Sequence, residues 1–239
     1  MIVKHRTFYR FSIILLAFSV GTASIPHAAA QGCSDAGVCS IHGIASMAPG
    51  DTVRQQRNIV SAGLVFGMSQ HDVVVLTPYA EYTRLFGKGF SASGRFNYGF
   101  RSGALGTVNA PSDLLFSFGY DFEGHFNLTA GIKVPLNEAD LVSGGQSLPM
   151  NYQTSLGTLD ILFGFGSRVG RFSFSAGYQQ PVTQNGNLFL ASDYPDNSPE
   201  SEYYSTRNYH RAADVMARIS FSALDSRSWS LVAGVLPIY

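Results

Sequence analysis

Charge is what this sequence has least of. Lys, Arg, Asp and Glu together make up 13% of its 239 residues, roughly half the quarter carried by a soluble globular protein. The charges that are present balance, 16 basic against 16 acidic, so no basic excess exists to neutralise phosphates, which argues against a nucleic-acid or acidic-ligand surface. No run of like charge marks an acidic or basic tail. After Ala30 no apolar run reaches the ~20 residues that a spanning helix needs, and any insertion into a membrane would have to be by strands. No stretch repeats apolar residues at spacings of three and four, which excludes an architecture of amphipathic helices. Against these shortages stand an aromatic content of 13% and 25 glycines. Few charges, many rings and many glycines suit a barrel in lipid.

The first thirty residues read as a signal peptide and stand apart from the fold. Lys4, His5, Arg6 and Arg10 make a basic start, Phe11 to Val20 an apolar centre, and Ala28-Ala29-Ala30 a small-residue cleavage site. A single anchoring helix is the alternative, but the apolar run is short for a span. Residues 31–57 then read as a periplasmic N-terminal segment containing the only two cysteines, Cys33 and Cys39. With Asp35 and Gly37 between them, the pair points to a local disulfide in an oxidising compartment. Lipidation of Cys33 is the competing reading, although Ala30-Gln31-Gly32 lacks the Leu expected three residues before a lipidated cysteine.

From Asn58 onward the dominant signal is a period of two. In Phe90 to Arg101, Phe90, Ala92, Phe96, Tyr98 and Phe100 fall on one parity, and Ser91, Ser93, Arg95, Asn97 and Arg101 on the other. In a strand these sets face opposite sides. Transmembrane strands run to roughly 9 to 11 residues. Segments of this kind recur at Asn58 to Gln70, Val73 to Arg84, Asp113 to Phe122, Phe126 to Pro135, Thr158 to Arg168, Arg171 to Gln180, Ala212 to Ala223 and Trp229 to Pro237. Pro78 weakens the second, because proline removes a ladder donor.

The connections sort by parity. Those after even strands are short, whereas three of the four after odd strands, Ser102 to Ser112, Leu136 to Gly157 and Pro181 to Arg211, read as long loops, and the fourth is a tight turn at His71-Asp72. Outer-membrane barrels pair short periplasmic turns with longer extracellular loops. The expected fold is therefore all-β, an antiparallel transmembrane β-barrel over residues 58–239, with the first strand rising outward. A secreted β-sandwich also has short strands, but it would need a second sheet over its rings and no such alternation of connections is expected of it. Nine strands is odd where bacterial single-chain barrels are even. Either the Pro78 strand is misread or the chain stops before its closing strands, and at least ten strands are expected of the complete barrel.

Three stretches resemble a known family: Gln31-Gly32-Cys33-Ser34-Asp35-Ala36-Gly37-Val38-Cys39, Pro111-Ser112-Asp113-Leu114, and Leu231 to Tyr239. They are similar to outer-membrane barrels of Bacteroidetes, grouped with FadL-like transporters and the MetA-pathway phenol-degradation barrels. The resemblance implies a transporter-like protein with hydrophobic or aromatic small molecules as cargo. It also implies further strands beyond a segment like Val235 to Tyr239.

The polar parity supplies the candidate lining of a lumen: Arg95, Asp121, Lys133, Asp160, Gln179, Asp214 and Arg218. Charges of both signs inside a barrel form a selectivity constriction, or else fill a narrow interior with salt bridges. The expected function is a passive channel or transporter in the outer membrane, whose partners are membrane lipid and small-molecule solutes. No catalytic residue, metal site or cofactor is expected. A membrane-embedded hydrolase needs a nucleophile and a base in reach of each other, and His71, His125 and His210 are scattered, with His210 four residues from Asp214. An adhesin or structural barrel is the alternative function, acting through Tyr203, Tyr204 and Tyr209 in the longest loop.

Overall fold

The computed structural model describes residues 58–122, 126–207, 209–225 and 230–235. The expected signal segment, the 31–57 segment and the disulfide expected between Cys33 and Cys39 lie outside the described residues. Alternating side chains build eleven strands: β1 (Asn58–Met68), β2 (Val74–Gly87), β3 (Phe90–Gly103), β4 (Gly106–Phe122), β5 (Phe126–Pro135), the two-residue β6 (Val142–Ser143) and β7 (Gln146–Ser147), β8 (Asp160–Val169), β9 (Phe172–Pro181), β10 (Asp214–Asp225) and β11 (Ser230–Val235). Nine of them form one sheet in the order β1-β2-β3-β4-β5-β8-β9-β10-β11. Every neighbouring pair is antiparallel. The sheet curls into a half-barrel, and among the described residues the barrel is not closed. The fold is all-β, as the period of two requires. Among the described residues no helix is long and apolar enough to cross a membrane.

Pro78 does not break β2. It stands opposite Leu64 of β1, while the ladder to β3 runs from Leu76 opposite Phe100 to Tyr79 opposite Asn97 and skips the two residues between. The missing donor therefore costs one interruption on one side of the strand.

The segment expected as a loop at Ser102 to Ser112 is strand instead, a correction with a local cause. β3 runs on to Gly103 and β4 starts at Gly106, so the hairpin turns over Ala104 and Leu105. The register slips once, from Phe96 opposite Leu114 to Tyr98 opposite Pro111. Asn97 thus faces both Ser112 and Asp113, a β-bulge that puts two consecutive residues on the same side and breaks the period. Bulge, Pro and Gly together made a strand look like a loop.

At the opposite end of the strands the turns are tight. Gly87, Lys88 and Gly89 all take positive φ, at 81°, 51° and 84°, the left-handed conformation that glycine adopts without cost. The two faces of the sheet partition in a way that inverts a soluble protein. On β1 exposure alternates residue by residue, with Val60, Leu64, Phe66 and Met68 all exposed. Phe116 and Phe118 on β4, Phe163 and Phe165 on β8, and Phe172 and Phe174 on β9 stand out in the same way. The withdrawn set is largely polar: Thr77, Glu81 and Thr83 on β2, Ser117 on β4, Thr129 and Lys133 on β5, and Ser173, Ser175 and Gln179 on β9, with Leu115, Leu162 and Met216 buried among them. In water each large apolar side chain left outside forgoes about 1.5–3 kcal/mol.

Candidate functional site: the charged inner face and its cap

Cross-strand register brings two pairs of opposite inner-face charges together: Glu81 of β2 stands opposite Arg95 of β3, and Lys133 of β5 opposite Asp160 of β8. The neutral Gln179 of β9 stands opposite Asp214 of β10. Opposite charges facing each other across a ladder are mutually stabilising, and tight turns hold the register that pairs them.

The larger cluster centres on Asp160, whose Oδ2 receives three donors. Lys133 Nζ lies 2.7 Å away, and Gln179 Nε2 and Arg211 Nη1 both donate to the same oxygen. Arg211 Nη1 also reaches Thr158 Oγ1 at 3.0 Å, and its Nη2 donates to Asp214. Lys133 is 1% exposed and Asp160 0%. Two cations and two carboxylates thus neutralise one another, three of them buried and Asp214 half-buried, the condition under which buried charge is tolerated.

The second cluster lies on β2 and β3. Arg95 Nη1 is 3.7 Å from Glu81 Oε2, and its Nε donates to Asn97 Oδ1 at 2.9 Å. Its guanidinium carbon sits 3.6 Å from the centroid of the Tyr79 ring, a cation–π contact. Four of the seven expected lining residues, Lys133, Asp160, Gln179 and Asp214, therefore meet at one place, and Arg95 belongs to another. Asp121, near the tight-turn end of β4, and Arg218, farther down β10, are both half-buried on the inner parity.

Three residues of these clusters escaped the sequence reading as site residues. Glu81 and Tyr79 lay on the polar parity of β2, and a carboxylate facing Arg95 was the signal that could have found them. Arg211 fell at the end of a segment without a period. Its place three residues before Asp214 was the only local clue.

Above the Asp160 cluster sits a cap made, among the described residues, from four connections at that end: 69–73, the β3–β4 hairpin tip, 136–159, and 182–207 with 209–213. Val73, Val108, Leu148, Tyr152, Phe189 and Tyr203 form its buried apolar centre. Asn187 ties the two long connections together, donating to Ala139 O at 2.8 Å and Leu148 O at 3.0 Å while accepting from Thr206 Oγ1 at 2.7 Å. The cap reaches onto the sheet where side chains are missing or polar. A Cβ on Gly99 would fall 2.6 Å from Thr154 Cβ, and Ser155 Oγ donates to Asp113 Oδ1 at 2.7 Å beside the bulge.

No family model, curated protein or solved structure matches this chain.

Within the cap Tyr152 Oη accepts from Leu105 N at 2.9 Å and lies 3.3 Å from Tyr203 Oη. Burial, followed by the Tyr152 hydroxyl, holds the Tyr203 phenol well above the ordinary tyrosine range. Tyr203 is thus a packing residue, also in tilted ring contact with His71 at 4.4 Å between centroids, whereas Tyr204 and Tyr209 are exposed. His210 is exposed, and Asp214 pairs with Arg211.

Proposed function

We propose that the chain is an outer-membrane β-barrel protein, a passive channel or transporter for small molecules, hydrophobic or aromatic ones among them. One observation carries this reading: strand after strand turns its rings outward and its polar side chains inward. That partition is stable when the outward neighbour is hydrocarbon, and an apolar face of this extent is foreign to a soluble monomer. The basic and apolar leader at residues 1–30 supports export, and the resemblance to transporter-like barrels supports the cargo class.

In this reading Arg95 with Glu81, and Lys133 with Asp160 and Arg211, are the constriction residues, since fixed charges at close quarters select among solutes. The cap lies over the second group and narrows access to it. The test is single-channel conductance and liposome swelling with the refolded full-length protein, before and after deletion of Ser192 to Asn208. Low permeability that rises on deletion supports the reading. A barrel that inserts yet stays impermeable in both forms overturns it.

A second reading, an adhesin or structural barrel, is favoured by the exposure of Tyr204 and Tyr209 on the cap. Loss of adhesion with unchanged permeability in the same deletion would select it.

A further inference from the structure

The apolar face is not uniform. A groove of about 820 Å³ opens on it between β2 and β10, walled by Phe86, Phe90, Tyr120, Phe163 and Tyr178. Its floor drops where small side chains stand among rings. Ala130 lies between Phe118 and Phe163 in the register, and Ala176 lies opposite Phe165. The volume falls within the ~300–1,000 Å³ of small-molecule sites.

Two cations stand at the β2–β3 end of this groove. Arg84 shares the outward parity of Tyr82 and Phe86 and is exposed. It is opposite Ala92, which is itself opposite Phe118 of the groove. Lys88, also exposed, occupies the tight turn between Phe86 and Phe90, both of them groove residues. Arg84 Nη1 donates to Asn58 Oδ1 at 2.5 Å, and Tyr82 Oη donates to the same oxygen at 2.8 Å. On the outward parity of β1 to β5 the described residues include no Asp or Glu. Positive charge therefore gathers here without a carboxylate on the same face.

The rings beside these cations form a belt. Phe90 and Tyr120 are 4.6 Å apart between centroids, Tyr120 and Phe122 4.4 Å, and Phe122 and Phe126 4.2 Å. Aromatic belts mark the headgroup level of a bilayer, so Arg84 and Lys88 lie where lipid phosphates are found. Guanidinium matches phosphate bidentately, and ammonium meets it as a point charge.

We propose that this groove is a binding site for an anionic phospholipid, with its acyl chains along the rings and its phosphate between Arg84 and Lys88. The inference rests on the outward face being immersed in lipid, and its test separates the two ideas. The full-length protein is first offered vesicles of phosphatidylcholine and of phosphatidylglycerol. Failure to insert into either overturns the membrane reading and this site with it. Inserted protein is then extracted in detergent with equal amounts of the two lipids carrying identical chains, and bound lipid is counted by native mass spectrometry. About tenfold more phosphatidylglycerol than phosphatidylcholine is expected. The double variant Arg84→Gln/Lys88→Gln should bring the two to parity. Ala176→Trp, which fills the groove and leaves both cations, should lower retention of both lipids. Equal retention by the unmodified protein overturns the site while leaving the membrane reading intact. So does an unchanged preference in the double variant, or full displacement of the lipid by inorganic phosphate.

Discussion

In the cap, Val73, Leu148, Tyr152 and Phe189 are withdrawn from solvent, together with the hydrogen-bonded Gln153 and Asn187. On the sheet beneath it, Phe66 and Phe118 stand exposed while Lys133, Asp160 and Gln179 are withdrawn. The two regions belong to one chain and obey opposite rules of partition. Because the hydrophobic effect has only one sign in water, the contrast is accounted for by the proposed function, in which the cap meets water and the sheet meets hydrocarbon. Cap residues should therefore respond to mutation as a soluble core does, and sheet residues as a membrane protein does.

The contrast breaks most severely at Asp160, where cap and sheet share one buried carboxylate. Asp160→Ala leaves Lys133 buried and unneutralised and Arg211 with Asp214 alone, and removing one partner of a buried pair costs about 3–5 kcal/mol. Urea unfolding of the protein in vesicles should show a loss of that size. Leu148→Ala tests the cap alone. It should cost about 2–5 kcal/mol there, read as faster proteolysis within 136–213 with unchanged vesicle insertion. Phe118→Arg is its counterpart on the sheet. A cation on the lipid face costs up to about 2–4 kcal/mol, depending on its depth, so insertion should weaken while proteolysis of the cap stays as it was. A Leu148→Ala variant that fails to insert, or a Phe118→Arg variant that inserts normally, would collapse the distinction.

Smaller effects sharpen it. Tyr152→Phe strands the Leu105 amide and removes the contact with Tyr203, a loss of about 1–3 kcal/mol confined to the cap. Its check is the denaturant midpoint for cap proteolysis. The Tyr203 phenol, held above its usual range, gives the cap a dependence on alkali. Above about pH 10 an unfolded tyrosine loses its proton, while the folded one keeps it. The cap's stability should be complete below that pH and decline as pH rises toward the folded value. Proteolysis of the cap followed from pH 9 to 11.5 should accelerate, and Tyr203→Phe should flatten the response.

The strands were legible because their signal is local. Phe90, Phe96 and Phe100 against Asn97 and Arg101 is a pattern that no distant residue has to complete. Where local chemistry interrupts the pattern, legibility fails. Pro78 interrupts the pattern of a strand that is present, and the bulge at Ser112 and Asp113 gives the top of the β3–β4 hairpin the pattern of a loop. The lining residues were legible as a set, since parity alone assigns Lys133, Asp160 and Gln179 to the inner face. Their grouping was not, because it depends on which strand lies beside which.

The sequence by itself determined which face of each strand is apolar and that the connections differ between the two ends, because side-chain alternation and turn chemistry act over a few residues. Only the tertiary structure decided that Arg211 reaches Asp160, that two aperiodic connections condense into a cap around Tyr152 and Asn187, and that Arg84 and Lys88 border a groove. Those contacts join residues far apart in the chain. Their geometry is set by strand order and register, which period and composition leave open.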